Sequence, residues 1–161
     1  MDYLILDLPP GTADVQLTLT QKLKISGAVI VTTPKDIALA DVRKGADMFK
    51  KVHTPVLGVI ENMSGLFIKG QVEGCRAISI EGQHVDVKPD GEFAIRIDLF
   101  KRGGGKSESD RLEVQLLGEI PISQEIMEAT DAGEPITSKN PESQVSEIYR
   151  SIAEKIVNVL N

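Results

Sequence analysis

Residues 2–12 read DYLILDLPPGT and predict a buried strand that leads into a loop containing proline and glycine. Residues 3–6 form a nearly continuous apolar run, which is typical of a strand buried on both faces of a parallel sheet. Asp7 follows at the carboxyl end of this strand, the edge at which open α/β sheets bind ligands. Gly11 accepts backbone conformations that other residues resist.

Two interpretations of this stretch remain open from the residues alone. A strand, a carboxylate and a glycine loop in this order suit a magnesium–nucleotide site, in which Asp7 faces the hydrated metal and the Gly11 loop senses the γ-phosphate. In the simpler interpretation, Asp7 only accepts hydrogen bonds from the amides of its own loop.

Length, composition and charge exclude several classes of protein. The chain has 161 residues, 41% of them apolar, which suits one domain over 1–161. Its 24 acidic and 18 basic residues give a net charge of −6, which argues against nucleic acid as a partner. No apolar run is long enough for a membrane span. The single cysteine fits a reducing, cytoplasmic compartment, with an organelle as the alternative.

Strand-sized and helix-sized segments alternate beyond the first loop. The runs at 28–33 and 56–60 are rich in β-branched residues and predict two further buried strands. Helices are predicted at 14–23 and 37–52, the second from apolar residues spaced three or four apart. Such alternation forms right-handed βαβ units. The predicted fold class is therefore α/β, with a mostly parallel, Rossmann-like sheet flanked by helices as in P-loop NTPases.

A period-2 pattern replaces this alternation from Ile78 onwards. Apolar residues alternate with polar ones over three short runs, and KPDG at 88–91 separates the last two as a turn. We interpret residues 75–100 as a small antiparallel meander, within a β-rich insert at 66–102.

The helix and strand pattern returns after the insert. The predicted elements are a helix at 108–116, a strand at 117–120 that Pro121 ends, a helix at 124–130, a loop at 134–141 and an amphipathic helix at 141–160.

A glycine cluster at 103–107 reads GGGKS between a predicted strand and a predicted helix, where a phosphate-binding loop belongs. The motif G-x-x-x-x-G-K-S requires glycine at position 100, and Phe100 stands there. The deviant form, with a second lysine just before paired glycines, is not matched either. We therefore predict a plain turn into a helix, and no recognisable phosphate cradle in this sequence.

Three segments carry a resemblance to a known family: residues 2–19, 29–45 (VIVTTPKDIALADVRKG) and 58–64 (GVIENMS). They resemble the Mrp/ApbC-type nucleotide-binding proteins, which are deviant P-loop ATPases related to MinD and ParA and are linked to iron–sulfur cluster assembly. The resemblance covers most of 1–65 and 103–137 and fails over 66–102. It begins partway into the family domain, at the switch-II-like loop of Asp7.

The resemblance implies roles for four residues in ATP and Mg²⁺ binding. Asp7 would be catalytic and would position the water shell of the metal, and Gly11 would respond to the γ-phosphate. Asn62 would read the adenine base, with Pro121 packed beside it. From the residues alone, Asn62 could equally be a turn asparagine that bonds its own backbone.

The resemblance also implies partners. Asp36 and Asp41 would face a second protomer across bound nucleotide, in a homodimer that passes clusters to iron–sulfur acceptor proteins. From the residues alone, Asp36 is a helix cap and Asp41 lies on a solvated helix face.

Cys75 is the one candidate metal ligand, and it departs from the family pattern. The family carries Cys-x-x-Cys after Asn-Met-Ser, and two protomers bridge one cluster with four thiolates. Here that segment holds only Cys75, and nothing in the spacing demands His84 as a further ligand. A four-iron cluster takes about four thiolates, more than a dimer of this chain offers. We therefore predict an ordinary thiol.

The sequence thus predicts the C-terminal part of an Mrp-like ATP-binding carrier of iron–sulfur clusters. On its own this chain is not expected to hydrolyse ATP, because phosphoryl transfer depends on a phosphate cradle. Two alternatives remain. A MinD/ParA-like positioning ATPase would be favoured by a strongly basic amphipathic helix. A non-catalytic interaction module that binds through 66–102 would be favoured by an exposed apolar patch there.

Overall fold

The structure, a computed structural model, describes residues 2–8, 13–100 and 103–161. Its helices are α1 Ala13–Lys22, α2 Asp36–Lys51, α3 Gly104–Leu112, α4 Gln124–Asp131, α5 Ile136–Lys139 and α6 Gln144–Leu160. Its strands are β1 Ala28–Thr32, β2 Val56–Gln71, β3 Ala77–Ile80, β4 Gln83–Asp86, β5 Glu92–Ile97 and β6 Leu116–Ile122.

A parallel sheet with β2 at its centre organises the chain, which confirms the predicted α/β fold class. β1 pairs in parallel with the first part of β2, with Thr32 opposite Glu61. β6 pairs in parallel with the other edge of β2, with Asn62 opposite Ile120. The connections α2 and α3 are helices, as the alternation of the sequence predicts.

Apolar clusters cover both faces of this sheet. Successive residues of a strand point to opposite faces, so Val59 and Ile60 of β2 enter different clusters. On one face, α2 contributes Phe49 and α3 contributes Leu112. On the other face, α6 contributes Ile152. The sheet is therefore buried between helices on both sides, which explains why its strands read as continuous apolar runs.

The predicted end of the strand at 56–60 is wrong, because this strand, β2, continues to Gln71. Its register with β6 shifts between Asn62 and Leu66, where Met63 has φ 57° and Gly65 has φ 92°. These positive φ values mark an irregular, bulged stretch inside a strand that then resumes. Residues 61–63 therefore lie within the sheet and not in a loop beyond it.

The predicted meander at 75–100 is also corrected. β3 and β4 form a separate antiparallel pair, whereas β5 pairs antiparallel with residues 66–71 of β2. Leu66 is paired with both β5 and β6, so these two strands lie on opposite edges of β2. β5 therefore lies on the same edge as β1, which pairs with an earlier part of β2. The alternation of apolar residues identifies the strands, but it carries no information about which distant strand each one pairs with.

The predicted buried strand at 3–6 is wrong as well. These residues are not in a strand, and Tyr3, Leu4, Ile5 and Leu6 are 51%, 69%, 89% and 44% exposed. Among the described residues 2–8, only Leu8 packs against the core. A strand needs a neighbour for its N–H and C=O groups, and no strand among the described residues pairs with this stretch.

Two element boundaries in the second half of the chain differ between the prediction and the structure. Pro121 lies inside β6 and does not end it. Within the described residues β6 pairs only with β2 and is therefore an edge strand. An edge strand tolerates proline, which has no backbone N–H group. α3 begins at Gly104, four residues before its predicted start, because Glu61 accepts a hydrogen bond from its first turn.

The C-terminal region follows the prediction more closely. α4 occupies the predicted span, and the predicted loop at 134–141 contains the short helix α5. Ser143 caps α6, since its Oγ accepts the N–H of Ser146 at 3.1 Å. Over the described residues, no helix combines the length and the apolar character that a bilayer crossing requires.

Candidate functional site

The carboxyl ends of the parallel strands bring two of the predicted site residues together. Asn62 lies on β2 directly opposite Ile120 of β6, so it is next to Pro121 across the pair of strands. Asn62 is half-buried, and Pro121 is buried. The Oδ1 atom of Asn62 accepts the N–H of Met63 at 2.9 Å, which is the turn-type bond of the simpler interpretation. The nucleotide roles of both residues stay predictions.

Glu61 is a central residue that the sequence analysis missed. Its side chain is almost fully buried, with the residue only 1% exposed. One carboxylate oxygen accepts a hydrogen bond from Ser64 Oγ at 2.7 Å, and the other accepts the N–H of Gly105 at 2.5 Å. A carboxylate is costly to bury unless it is hydrogen-bonded in this way. The available signal was a glutamate directly after an apolar strand.

A second carboxylate and an arginine adjoin Glu61. Arg96 on β5 donates from one Nη atom to Ser64 Oγ at 2.5 Å and from the other to Glu119 at 3.3 Å. Ser64 Oγ also lies 3.4 Å from Glu119. These four side chains connect β2, β5 and β6 at the irregular part of β2, and the cluster formed by Glu61, Ser64, Arg96 and Glu119 is called the carboxylate relay below.

The glycine cluster before α3 does not fit a phosphate. Gly103 has φ 87° and forms the N-cap of α3, without a side-chain cap. The Gly105 N–H group, which a phosphate-binding loop would point at its ligand, is instead hydrogen-bonded to Glu61. A Cβ atom on Gly105 would lie 2.7 Å from Glu61 Cβ, so this glycine serves close packing. A phosphate here would meet a buried carboxylate, and no step of phosphoryl transfer is assigned to this loop.

A further buried carboxylate joins α2 to α3. Glu108 on α3 is fully buried and accepts hydrogen bonds from Arg43 at 3.3 Å and from Arg111 Nη2 at 2.7 Å. Arg111 also donates to Asp47 at 2.9 Å. The hydrogen bonds to Glu108, with a further contribution from Asp47, raise the pKa of the Arg111 guanidinium above its already high ordinary value. Arg111 is therefore a permanent cation at this contact.

The remaining predicted nucleotide and protomer residues are spread out. Asp7 is exposed, in a stretch that forms no strand. Gly11 and the side chain of Asp36 lie outside the part of the chain that is described. Asp36 is the first residue of α2, whose N-cap is Lys35, so the predicted capping role of Asp36 is not seen. Asp41 is exposed and pairs with Lys44 at 3.3 Å, as expected of a solvated helix face.

Cys75 is an exposed free thiol in the connection between β2 and β3. It lines an open cleft of about 400 Å³, whose other walls are residues 72–74, 76 and 88–91. Its Sγ atom lies 3.5 Å from the Glu73 carbonyl oxygen. His84 is on β4, 3.4 Å from Asp86. Among the described residues, no three His, Cys, Asp or Glu side chains cluster closely enough to hold a metal ion.

Comparison with protein families identifies the family of this chain. The family described as "ParA: NUBPL iron-transfer P-loop NTPase" matches residues 1–88 and 87–157. The chain belongs to this family. The match extends across the 66–102 segment, so the expectation that the family resemblance fails there is wrong.

Curated relatives of this NUBPL-type chain are bacterial and animal proteins. The iron–sulfur cluster carrier protein of Escherichia coli K12 is 42% identical over 156 residues, which are 97% of this chain and 36% of that protein. The iron–sulfur cluster transfer protein NUBPL of Mus musculus is 39% identical over 160 residues, 99% of this chain and 43% of that protein. The chain therefore spans less than half the length of either relative.

Solved structures show the same fold. A nucleotide-binding protein of Archaeoglobus fulgidus, in complex with ADP, superimposes with a TM-score of 0.60 at 31% identity over 91% of this chain and 50% of that one. The cell division ATPase MinD of Pyrococcus furiosus gives a TM-score of 0.53 at 25% identity, covering 83% of this chain and 43% of that one. The sheet described here is thus a MinD-like P-loop NTPase sheet.

Proposed function

We propose that this chain forms part of an ATP-binding iron–sulfur cluster carrier, and that it works in a reducing compartment such as the cytoplasm. The observation that carries the proposal is the 42% identity with the E. coli cluster carrier over 97% of this chain. The fold contributes the sheet edge at which α/β proteins bind ligands, with Asn62 and Pro121 on neighbouring strands.

The proposed role of each residue follows from the chemistry of its side chain or backbone. The Asn62 side-chain amide can donate to a base, and no described residue accepts a hydrogen bond from its Nδ2 atom. Asp7 and Gly11 are proposed to act on Mg²⁺ and the γ-phosphate, and Asp36 and Asp41 to face a second protomer. Phosphate binding requires a cradle that Gly103–Ser107 does not supply, because Glu61 occupies its Gly105 N–H group.

The first prediction concerns nucleotide affinity. We expect the chain alone to bind Mg-ATP no more tightly than about 1 mM in titration calorimetry. We also expect a hybrid in which residues 2–157 replace the matching region of the E. coli carrier to bind ATP more tightly. Asn62→Ala in that hybrid should weaken ATP binding about tenfold or more, since a base contact is lost.

Two results would contradict this prediction. Micromolar binding by the chain alone, abolished by Lys106→Ala, would make Gly103–Ser107 a phosphate loop after all. The surface variant Lys139→Ala in the same hybrid is the control. If the Asn62→Ala hybrid binds ATP as tightly as the Lys139→Ala hybrid, Asn62 is not part of the site.

The second prediction concerns the cluster as cargo. One exposed thiol per chain is too few ligands for a stable four-iron cluster. We expect anaerobic reconstitution with iron and sulfide to give little bound cluster, and Cys75→Ser to leave the free energy of unfolding almost unchanged. A strong visible absorption band that disappears in Cys75→Ser, but persists in His84→Ala, would overturn this expectation.

A second candidate function is an interaction module that uses the insert. The observation in its favour is that residues 66–71 and 92–97 form an ordered antiparallel extension of the sheet, with β3 and β4 as a separate hairpin between them. The hybrid distinguishes the two candidates. An interaction module does not gain ATP binding when the rest of the E. coli protein is supplied.

A further inference from the structure

We propose that the carboxylate relay is a conformational link: it couples the antiparallel ribbon formed by residues 66–71 and 92–97 to the first turn of α3. Glu61 is its central positioning residue. The proposal concerns contacts within this chain, and it stands whether or not the proposed carrier function is correct.

The first link joins Glu61 to α3. The first N–H groups of a helix have no partner within the helix, and a negative charge is favourable near them. In α3 the Gly105 N–H donates to Glu61 Oε2 at 2.5 Å, although 44 residues separate the two. Neither the N-cap residue nor the first turn of α3 supplies a side-chain cap. The start of α3 therefore depends on where Glu61 lies.

The second link joins Glu61 to the ribbon. Ser64 Oγ donates to Glu61 Oε1 at 2.7 Å and accepts from Arg96 at 2.5 Å. A hydroxyl has one proton to donate, so its direction is set by which neighbour accepts. Arg96 is on the ribbon strand β5, opposite Phe67 of β2. Any displacement of Arg96 therefore changes the bond that orients Glu61.

The relay lies where the backbone pairing of β2 with β6 is interrupted. The register of β2 with β6 is interrupted between Asn62 and Leu66, and Met63 and Gly65 have positive φ. A bulge of this kind leaves the local ladder disrupted. Polar side chains instead span the interruption, and Arg96 also reaches Glu119 on β6. Asn62, the residue proposed to read the base, lies between Glu61 and Ser64 in this stretch.

The consequence is that the ribbon and the helix layer respond to one another. α3 is joined onward to α2 through Glu108 and Arg43, so the link extends from the ribbon to the helix carrying Asp41. Because the contacts run in both directions, a change at either end is expected to affect the other.

The test measures amide hydrogen exchange by NMR on the full chain. Arg96→Ala removes a side chain whose hydrogen bonds go to Ser64 and Glu119, and we expect exchange of the Gly105 amide to rise about tenfold or more, while amides in the α6 core stay unchanged. Ser64→Ala removes the middle of the relay and should also increase exchange in residues 66–71. Lys88→Ala is the matched control, because it breaks an exposed ion pair with Glu92 on the same ribbon strand, away from the relay.

Two outcomes would overturn the link. Unchanged Gly105 exchange in Arg96→Ala would show that the ribbon and α3 are independent. An equal rise in Gly105 amide exchange in Lys88→Ala would show that any change in the ribbon loosens the structure generally. If Arg96→Ala unfolds, Arg96→Met serves in its place: it keeps an aliphatic stem but donates no hydrogen bond to Ser64 or Glu119, and the same increase at Gly105 is expected.

Discussion

Glu108→Ala is expected to lower the free energy of unfolding by about 3 kcal/mol, the largest effect of any single side chain discussed for this protein. Glu108 is fully buried and accepts from both Arg43 and Arg111. Its removal leaves a cavity between α2 and α3 and two guanidinium groups without their shared carboxylate. Because the Arg43 and Arg111 side chains are 50% and 33% exposed, water recovers part of the lost interaction.

The measurement is denaturant unfolding followed by circular dichroism, with two companion variants. Asp47→Ala removes the outer, half-exposed partner of Arg111 and should cost less than about 1 kcal/mol. Glu108→Gln keeps the volume but not the charge, and should lie between the two. A loss for Glu108→Ala no larger than that for Asp47→Ala would show that the contact between α2 and α3 is held by apolar packing alone.

Self-association of the chain is the second large effect that we expect. Four consecutive apolar side chains at 3–6 are exposed, Ile5 to 89%. β1 pairs only with β2 among the described strands, and Val31 on β1 is 55% exposed. An unpaired strand edge next to exposed apolar residues favours association with another chain. At low micromolar concentration we expect a species of at least twice the monomer mass.

Sedimentation velocity with charged variants tests this expectation. Leu4→Glu with Ile5→Glu should restore a monomer, because two charges on the apolar stretch make its burial costly. Leu99→Glu is the control, since Leu99 is 47% exposed at a different position and its change should leave the association intact. A monomeric parent chain in which the amides of residues 3–6 are protected from exchange would contradict the expectation, because that stretch would then have found a partner within the chain.

Local sequence was sufficient for much of the fold. The apolar spacing in α2 and α6 predicted both helices, and the β-branched runs predicted β1 and the first part of β2, because these patterns reflect which face of each element is buried. The mismatch of GGGKS with a phosphate loop was likewise visible in the sequence. So was the lone cysteine, which offers a single thiolate per chain.

Only the tertiary structure decided which elements meet. Strand pairing depends on the N–H and C=O groups of a distant segment, so the sequence did not reveal that β2 continues past Asn62 to pair with β5, or that residues 3–6 find no described partner. The role of Glu61 was hidden for the same reason. A glutamate after an apolar strand resembles any polar loop residue until folding brings it to the Gly105 N–H group, and there the cost of burying its charge is met by hydrogen bonds.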